Sequence, residues 1–310
     1  KKVDCSTGKN AKDRIIEAIR ILNGALAIKL SVQSTDESVM KNMRRDNISS
    51  DQMLALVPAI RASNLPSVTE IIVGLPGDSF ATNIKTIKDM MRVEVDEYLV
   101  YTLMLLHGSE LATPEERKKW GFNTKFRILP RSFAELKSGK KIMEVEEVVV
   151  SSNSLSFDEY VKIRLLAFSI FVTNQLAYKP IIKFLRHNNV DIFDLFNRPL
   201  EDENLPKTLQ NIFDKFKQST VNELWDSPEE IIKNFQDDDQ YQKLISEHIG
   251  FNVIQFHQAL VTTNHMPEWT EYVIKLAKTL LDENNVPEET YLEPFNEISN
   301  YCRGLTHNTL

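Results

Sequence analysis

Lys29, Ser31 and Gln33 on one short run, and a Gly74-Leu75-Pro76-Gly77 turn closing another, are the residue types that could hold a small polar ligand. In Ile28–Gln33 the apolar residues Ile28, Leu30 and Val32 alternate with that polar set. A strand with helices packed outside it would aim the polar set into a barrel lumen. The second run, Glu70–Val73, stops at the glycine turn, where glycines allow backbone shapes that side chains resist and let main-chain N–H groups approach a ligand closely. Polar side chains and a glycine turn at the carboxyl ends of neighbouring strands are where an α/β fold places a ligand. Taken alone, Gly-Leu-Pro-Gly is equally an ordinary strand–turn–helix connection.

Other candidates for chemistry are weaker. His107 follows the last strand of this region, so it either reaches a ligand on the rim or is a loop histidine facing solvent. Tyr98 and Thr102 face the lumen or serve as packing. His248, His257 and His265 are nine and eight positions apart, which is not the i, i+4 spacing of a helical metal pair, and they read as surface or core histidines. Asp237-Asp238-Asp239 reads as a solvated turn, because the alternating oxygen ligands and central glycine of a calcium loop are missing. No metal site is expected in this chain.

These residues need elements to position them. A strand at Lys2–Ser6 leads into an amphipathic helix over Lys12–Asn23, and Ile28–Gln33 leads into a helix over Glu37–Arg44 with Asp36 as N-cap. A helix over Ser50–Ser63 precedes Glu70–Val73; a helix over Thr82–Val93 precedes an apolar strand at Glu97–Leu106. Strands separated by helices imply parallel pairing with right-handed crossovers. The expected fold class is therefore α/β, a partial, half TIM-like barrel of about four parallel βα units, followed by a mainly α-helical C-terminal domain. Arg127–Arg131 reads as extended chain and Glu144–Ser151 as a short strand or connector. Helices follow from Ser156 onward, punctuated by prolines that include Pro287 and Pro294. The domain boundary is expected near residue 150, giving domains 1–150 and 151–310.

Composition narrows the function classes. A net charge of −7 leaves no basic excess to neutralise phosphates, which argues against general nucleic-acid binding. The two cysteines, Cys5 and Cys302, form neither a disulfide framework nor a zinc spacing, which fits a reducing, cytoplasmic setting. No apolar run in the sequence approaches the length of a membrane span, so no membrane partner is expected.

The run VQSTDESVMKNMRRDN (32–47), followed by EIIVGLPGDS (70–79), resembles the middle and late strands of radical S-adenosylmethionine enzymes. It is most similar to the branch that contains oxygen-independent coproporphyrinogen oxidase and the cobalamin-binding radical enzymes. In that pattern a Gln-Ser pair ends one strand, an Arg follows twelve positions later, and an acidic residue opens a strand ending in Gly-Leu-Pro-Gly. Here the counterparts are Gln33-Ser34, Arg45, Glu70 and Gly74-Leu75-Pro76-Gly77. The resemblance implies that these residues bind S-adenosylmethionine, a role that suits them: an Arg fork matches a carboxylate, while Gln and Glu match ammonium and hydroxyl groups. Lys29, Ser31 and His107 would then be substrate or rim residues. The resemblance covers roughly residues 1–150.

The family's Cys-x-x-x-Cys-x-x-Cys loop, which ligates a 4Fe-4S cluster, is absent from this chain. The expectation is accordingly a carboxyl-terminal fragment of a radical S-adenosylmethionine enzyme that carries half a cofactor site and is inactive by itself. The parent would need an electron donor and would act on an unidentified small molecule or modified biopolymer; cobalamin, where used, would bind in an upstream domain. A chain beginning inside a barrel would leave a strand edge open to association with a neighbouring molecule or with its own helical half. The alternative function is a non-catalytic or phosphate-binding α/β module whose Gly-Leu-Pro-Gly turn serves another ligand.

Overall fold

A computed structural model describes residues 28–44 and 67–307, together with Arg14, Glu17, Ala18 and Ile21, which are helical within the expected Lys12–Asn23 segment. The strand expected at Lys2–Ser6, the helix expected at Ser50–Ser63, Cys5 and Arg45 lie outside the described residues. The chain divides into two compact units. The first is Lys1–Leu129, Met143–Arg164 and Leu224–Lys233; the second is Pro130–Ile142, Leu165–Glu223 and Asn234–Leu310.

In the first unit, β1 (Ile28–Gln33), α1 (Glu37–Asn42), β2 (Ser67–Val73), α2 (Phe80–Arg92) and β3 (Glu97–Thr102) alternate along the chain. The strands form a parallel sheet in the order β1-β2-β3. This is the α/β alternation expected from periodicity, with three strands among the described residues. The β-branched run Ser67–Val73 gives β2 its central place, since both flanks of a middle strand are paired. A capping box formed by Ser79 and Thr82 starts α2, whose Ile87, Met90 and Met91 are buried.

The two sheet faces differ. Thr69, Ile71 and Val73 of β2 pair in register with Tyr98, Val100 and Thr102 of β3, and all six are buried. On the other face, Glu70 and Ile72 pair with Leu99 and Tyr101, and these four keep solvent contact; Tyr101 is 49 % exposed. Of the two readings open for Tyr98 and Thr102, the structure favours packing over a lumen face. Both lie on the packed face, and the Thr102 hydroxyl is 3.3 Å from the Tyr160 hydroxyl.

Beyond β3 the chain continues through Leu103–Leu105 and α3 (Pro114–Trp120) into a hairpin of β4 (Asn123–Glu135) and β5 (Lys141–Ser151). The segments read as extended chain and short connector are thus parts of two long strands. Leu103 N–H donates to Val73 O, Val149 N–H to Leu103 O and Leu105 N–H to Glu147 O, so β5 continues the hydrogen bonding past the end of β3. Val39, Leu75, Leu103, Leu105 and Val149 form a core cluster at that junction. Arg117 of α3 grips the Glu147 carboxylate with two bonds of 2.5 and 2.7 Å, and Thr124 adds a third at 2.6 Å. A forked pair of this kind fixes orientation as well as distance.

The remaining elements are helical: α4 (Phe157–Thr173), α5 (Lys179–His187), α6 (Phe193–Asn197), α7 (Lys207–Asn222), α8 (Pro228–Asn234), α9 (Asp238–Ser246), α10 (Val253–Asn264), α11 (Met266–Glu283) and α12 (Glu288–His307). In the second unit Phe168 stacks on Phe216 with centroids 4.3 Å apart, and the hydroxyls of Tyr178, Thr270 and Thr306 form a buried chain with 2.9 Å links. Asp237 caps α9 by accepting from Gln240 N–H, with Asp238 and Asp239 in the first turn. The triple-aspartate turn is therefore a helix start, where negative charge meets the unpaired N–H groups. Among the described residues no single helix is long and apolar enough to cross a membrane.

Candidate functional site

β1 reaches its carboxyl end through an irregularity. Leu30 pairs with Thr69 but Gln33 pairs with Ile71, so Ser31 and Val32 together face Glu70. One extra residue in a strand bends it and re-aims its side chains. Gln33 takes up the bend with φ 63°, a left-handed conformation uncommon for a residue with a side chain. Ser31 Oγ donates to Glu70 Oε2 at 2.6 Å, which puts the two on the open face of the sheet. This is the one hydrogen bond to the Glu70 carboxylate among the described residues, and it leaves Oε1 available as an acceptor. Tyr101 stands on the same face; burial and the nearby Glu70 charge both push its phenol above the ordinary value. Lys29 is placed by backbone register opposite Val68.

Ser34 has a different environment. It is buried, accepts from Asp36 N–H at 3.2 Å, and its hydroxyl lies 3.4 Å from Thr86 Oγ1. Thr35 adds hydrogen bonds to Thr86 and Asp89. These contacts fasten the end of β1 onto α2.

The Gly74–Gly77 turn is organised from within. Gly74 and Gly77 have φ of 87° and 79°, and a Cβ on Gly77 would lie 2.7 Å from the Asn42 amide nitrogen, so a side chain there would collide with α1. Asn42 donates to Pro76 O at 3.0 Å, and Leu75 is fully buried in the core cluster. Gly74 N–H, which a ligand could have claimed, instead donates to the Asp78 carboxylate at 3.1 Å. The N–H groups of Leu75 and Gly77 have no hydrogen-bond partner among the described residues.

Asp78 carries no motif signal of its own in the sequence, yet it is the hub of the turn. Its carboxyl is buried and also accepts from Thr82 Oγ1 at 2.6 Å and Asn83 Nδ2 at 3.2 Å. Burial pushes its pKa above the ordinary carboxylate value despite these donors. The legible signal was the Asp-Ser pair that follows Gly77 at the start of a helix.

His107 sits in an exposed turn five positions beyond β3, while Arg117, with help from Thr124, holds Glu147 below the ordinary carboxylate range. The structure thus brings Ser31 and Glu70 into contact. It sets Gln33 and the glycine turn at the carboxyl edge of adjacent strands, and engages Ser34 and Leu75 in packing.

No set of three His, Cys, Asp or Glu side chains that could hold a metal occurs among the described residues. Cys302 is buried, and burial pushes its thiol up to about 11. A cluster needs several thiolates together, and no second cysteine accompanies Cys302 among the described residues.

No protein-family model matches the chain. Curated proteins similar to it include the cobalamin-dependent radical SAM methyltransferase TokK of Streptomyces tokunonensis, 29 % identical over 168 residues, covering 52 % of this chain and 24 % of that protein. Another is the 2-(S-pantetheinyl)-carbapenam-3-carboxylate methyltransferase of Streptantibioticus cattleyicolor, 29 % identical over 159 residues, covering 49 % of this chain and 23 % of that protein. The alignments span about a quarter of each relative's own length.

Proposed function

We propose that this chain contributes the S-adenosylmethionine-holding edge of a partial barrel in a cobalamin-type radical S-adenosylmethionine methyltransferase. The observation that carries the reading is the Glu70 carboxylate. It lies on the open face of a parallel sheet, held by Ser31, on the strand that runs into the Gly74–Gly77 turn and beside the strand that ends at Gln33. Likeness to radical SAM methyltransferases over about half the chain supports the same reading.

Glu70 offers an acceptor oxygen for a hydroxyl or ammonium group, and Gln33 offers both donor and acceptor. The Gly77 N–H is a donor at the strand edge, and Arg45 would meet a carboxylate. When bound, S-adenosylmethionine supplies a transferable methyl group or, on one-electron reduction, an adenosyl radical. The chain's own part is to fix the cofactor's polar groups against the sheet edge and so set the direction of its reactive centre. The Asp78 carboxyl inside the turn disfavours a phosphate ligand there, since its ionised form would repel one. Electron transfer is not assigned to these residues, because the three-cysteine loop is absent from the sequence.

Isothermal titration with S-adenosylmethionine tests this. Wild-type chain is expected to bind, and Glu70→Gln to bind at least about tenfold more weakly, the loss of one charge-assisted hydrogen bond. Equal affinities in chains of equal melting temperature, or no binding to wild type, would refute the reading. Anaerobic iron–sulfur reconstitution should give no stoichiometric cluster absorption. A cluster-like chromophore at one per chain would show that the ligand assignment is wrong.

A further inference from the structure

The second unit contains a cleft of about 550 Å³ that none of the preceding chemistry uses. Pro130 and Arg131 of β4 line one part, His248 and Phe251 of the turn before α10 another, and Phe256 and Leu260 of α10 the rest. Arg131 N–H donates to Gly250 O at 2.8 Å, tying strand to turn. That approach needs a glycine, since a Cβ on Gly250 would lie 2.3 Å from Phe133 Cε1. Arg131 and His248 both adopt left-handed backbone conformations, with φ of 62° and 59°. Strained non-glycine residues of this kind persist where surrounding structure holds them, and they gather at ligand sites.

The side chains form one cluster. Arg131 Cζ lies 5.0 Å from the centroid of Phe251. The His248 ring stacks on Phe256 at 4.6 Å with planes 18° apart, and meets Phe251 at 5.0 Å and 61°. A guanidinium against an aromatic face spends none of its five N–H donors, and a stacked imidazole keeps its in-plane nitrogens. Among the described residues no carboxylate pairs with Arg131, and neither the His248 ring nitrogens nor the Gln255 amide has a hydrogen-bond partner. The lining contains no Asp or Glu. The cleft therefore combines aromatic walls with unspent cationic and amide donors, at a size suited to a small organic ligand.

We propose that this cleft binds a small aromatic carboxylate, with its ring against Phe251 and Phe256 and its carboxylate on Arg131 and His248. The apolar share of the walls selects a ring over a bare inorganic anion, because phosphate would leave Phe251, Phe256 and Leu260 uncovered. The absence of lining carboxylates selects an anion over a cation. This inference is independent of the function proposed for the first unit.

Titration calorimetry on the full chain tests it with 2-naphthoate, its neutral isostere 2-naphthamide, and inorganic phosphate. Wild type should bind 2-naphthoate, and bind 2-naphthamide at least about tenfold more weakly, as expected when a charge-assisted hydrogen bond is lost. Phosphate should not compete. Arg131→Asn and His248→Asn remove the donors while keeping a residue type that tolerates positive φ. Arg131→Asn should weaken 2-naphthoate at least about tenfold and His248→Asn by a smaller factor, each with a melting curve like wild type. No 2-naphthoate binding, equal affinity for the amide, competition by phosphate, or wild-type affinity in Arg131→Asn would each overturn the proposal. The acid–amide comparison uses wild type alone, so it stands even if a variant fails to fold.

Discussion

Replacing Asp78 by Ala is expected to lower the unfolding free energy by about 4 kcal/mol, because it strands several buried donors at once. Gly74 N–H, the Thr82 hydroxyl and the Asn83 amide all donate to this one carboxyl, and Asp78 is only 1 % exposed. Removing the shared acceptor leaves the buried Gly74 N–H and Asn83 amide without their bonds and opens a cavity at the start of α2. Asp78→Asn keeps an acceptor oxygen for two of the donors and should cost about 1 kcal/mol. The pH dependence has a definite sign. Burial raises the folded carboxyl above its ordinary value of 3.8, so this group favours the folded state below about pH 4 and loses that contribution as pH rises through the folded value. Asp78→Asn should abolish that term. Urea unfolding curves check the ordering, and an alanine variant within about 1 kcal/mol of wild type would show that the turn does not depend on its internal carboxyl.

The turn also shows where sequence reasoning succeeds and where it stops. The strand–helix alternation around Ile28–Gln33, Glu70–Val73 and Thr82–Val93 was legible because the periodicity of two or 3.6 is a local signal. Which face of β3 is open was not legible. EYLVYTLMLL carries apolar or aromatic residues at both parities, so only its pairing with β2 decides that Tyr101, and not Tyr98, shares a face with Glu70. The bulge at Ser31–Val32 is likewise a property of the pair and not of either strand. The β4–β5 hairpin is hard to read locally because Glu144–Ser151 mixes charged and β-branched residues, and the Arg127–Glu146 and Arg117–Glu147 pairs that stabilise its charged positions come from distant sequence. A proline such as Pro294 is expected to punctuate helices, yet it lies inside α12. The buried stripe Tyr291, Phe295, Ser299, Cys302 and Thr306 outweighs the cost of about 3 kcal/mol that an interior proline imposes.

His257 should make the helical unit less stable as the solution is acidified, by about 3 kcal/mol between roughly pH 6.5 and pH 4. The ring is 3 % exposed and meets Phe168, Phe216 and Phe256 at centroid distances of 6.2, 5.6 and 5.3 Å. Among the described residues its one polar partner is Ser219, whose Oγ lies 3.0 Å from Nε2. Burial, reinforced by the charge of Lys215, lowers its pKa from 6.5 to about 4. The unfolded chain therefore takes up a proton between these values while the folded chain does not, and each pH unit in that window removes at most about 1.4 kcal/mol. Above about pH 6.5 the imidazole is neutral in both states, so the full contribution is present there. His257→Gln replaces the titrating ring with an amide that can still reach Ser219. It should be destabilising near pH 7 through lost aromatic packing, but that deficit should shrink by about 2 kcal/mol on going to about pH 5. Urea unfolding of both proteins across this range isolates the effect, because titration of the remaining groups cancels in the difference. A difference that stays constant from about pH 7 to about pH 4.5 would mean that the buried histidine protonates as readily in the folded chain as in the unfolded one.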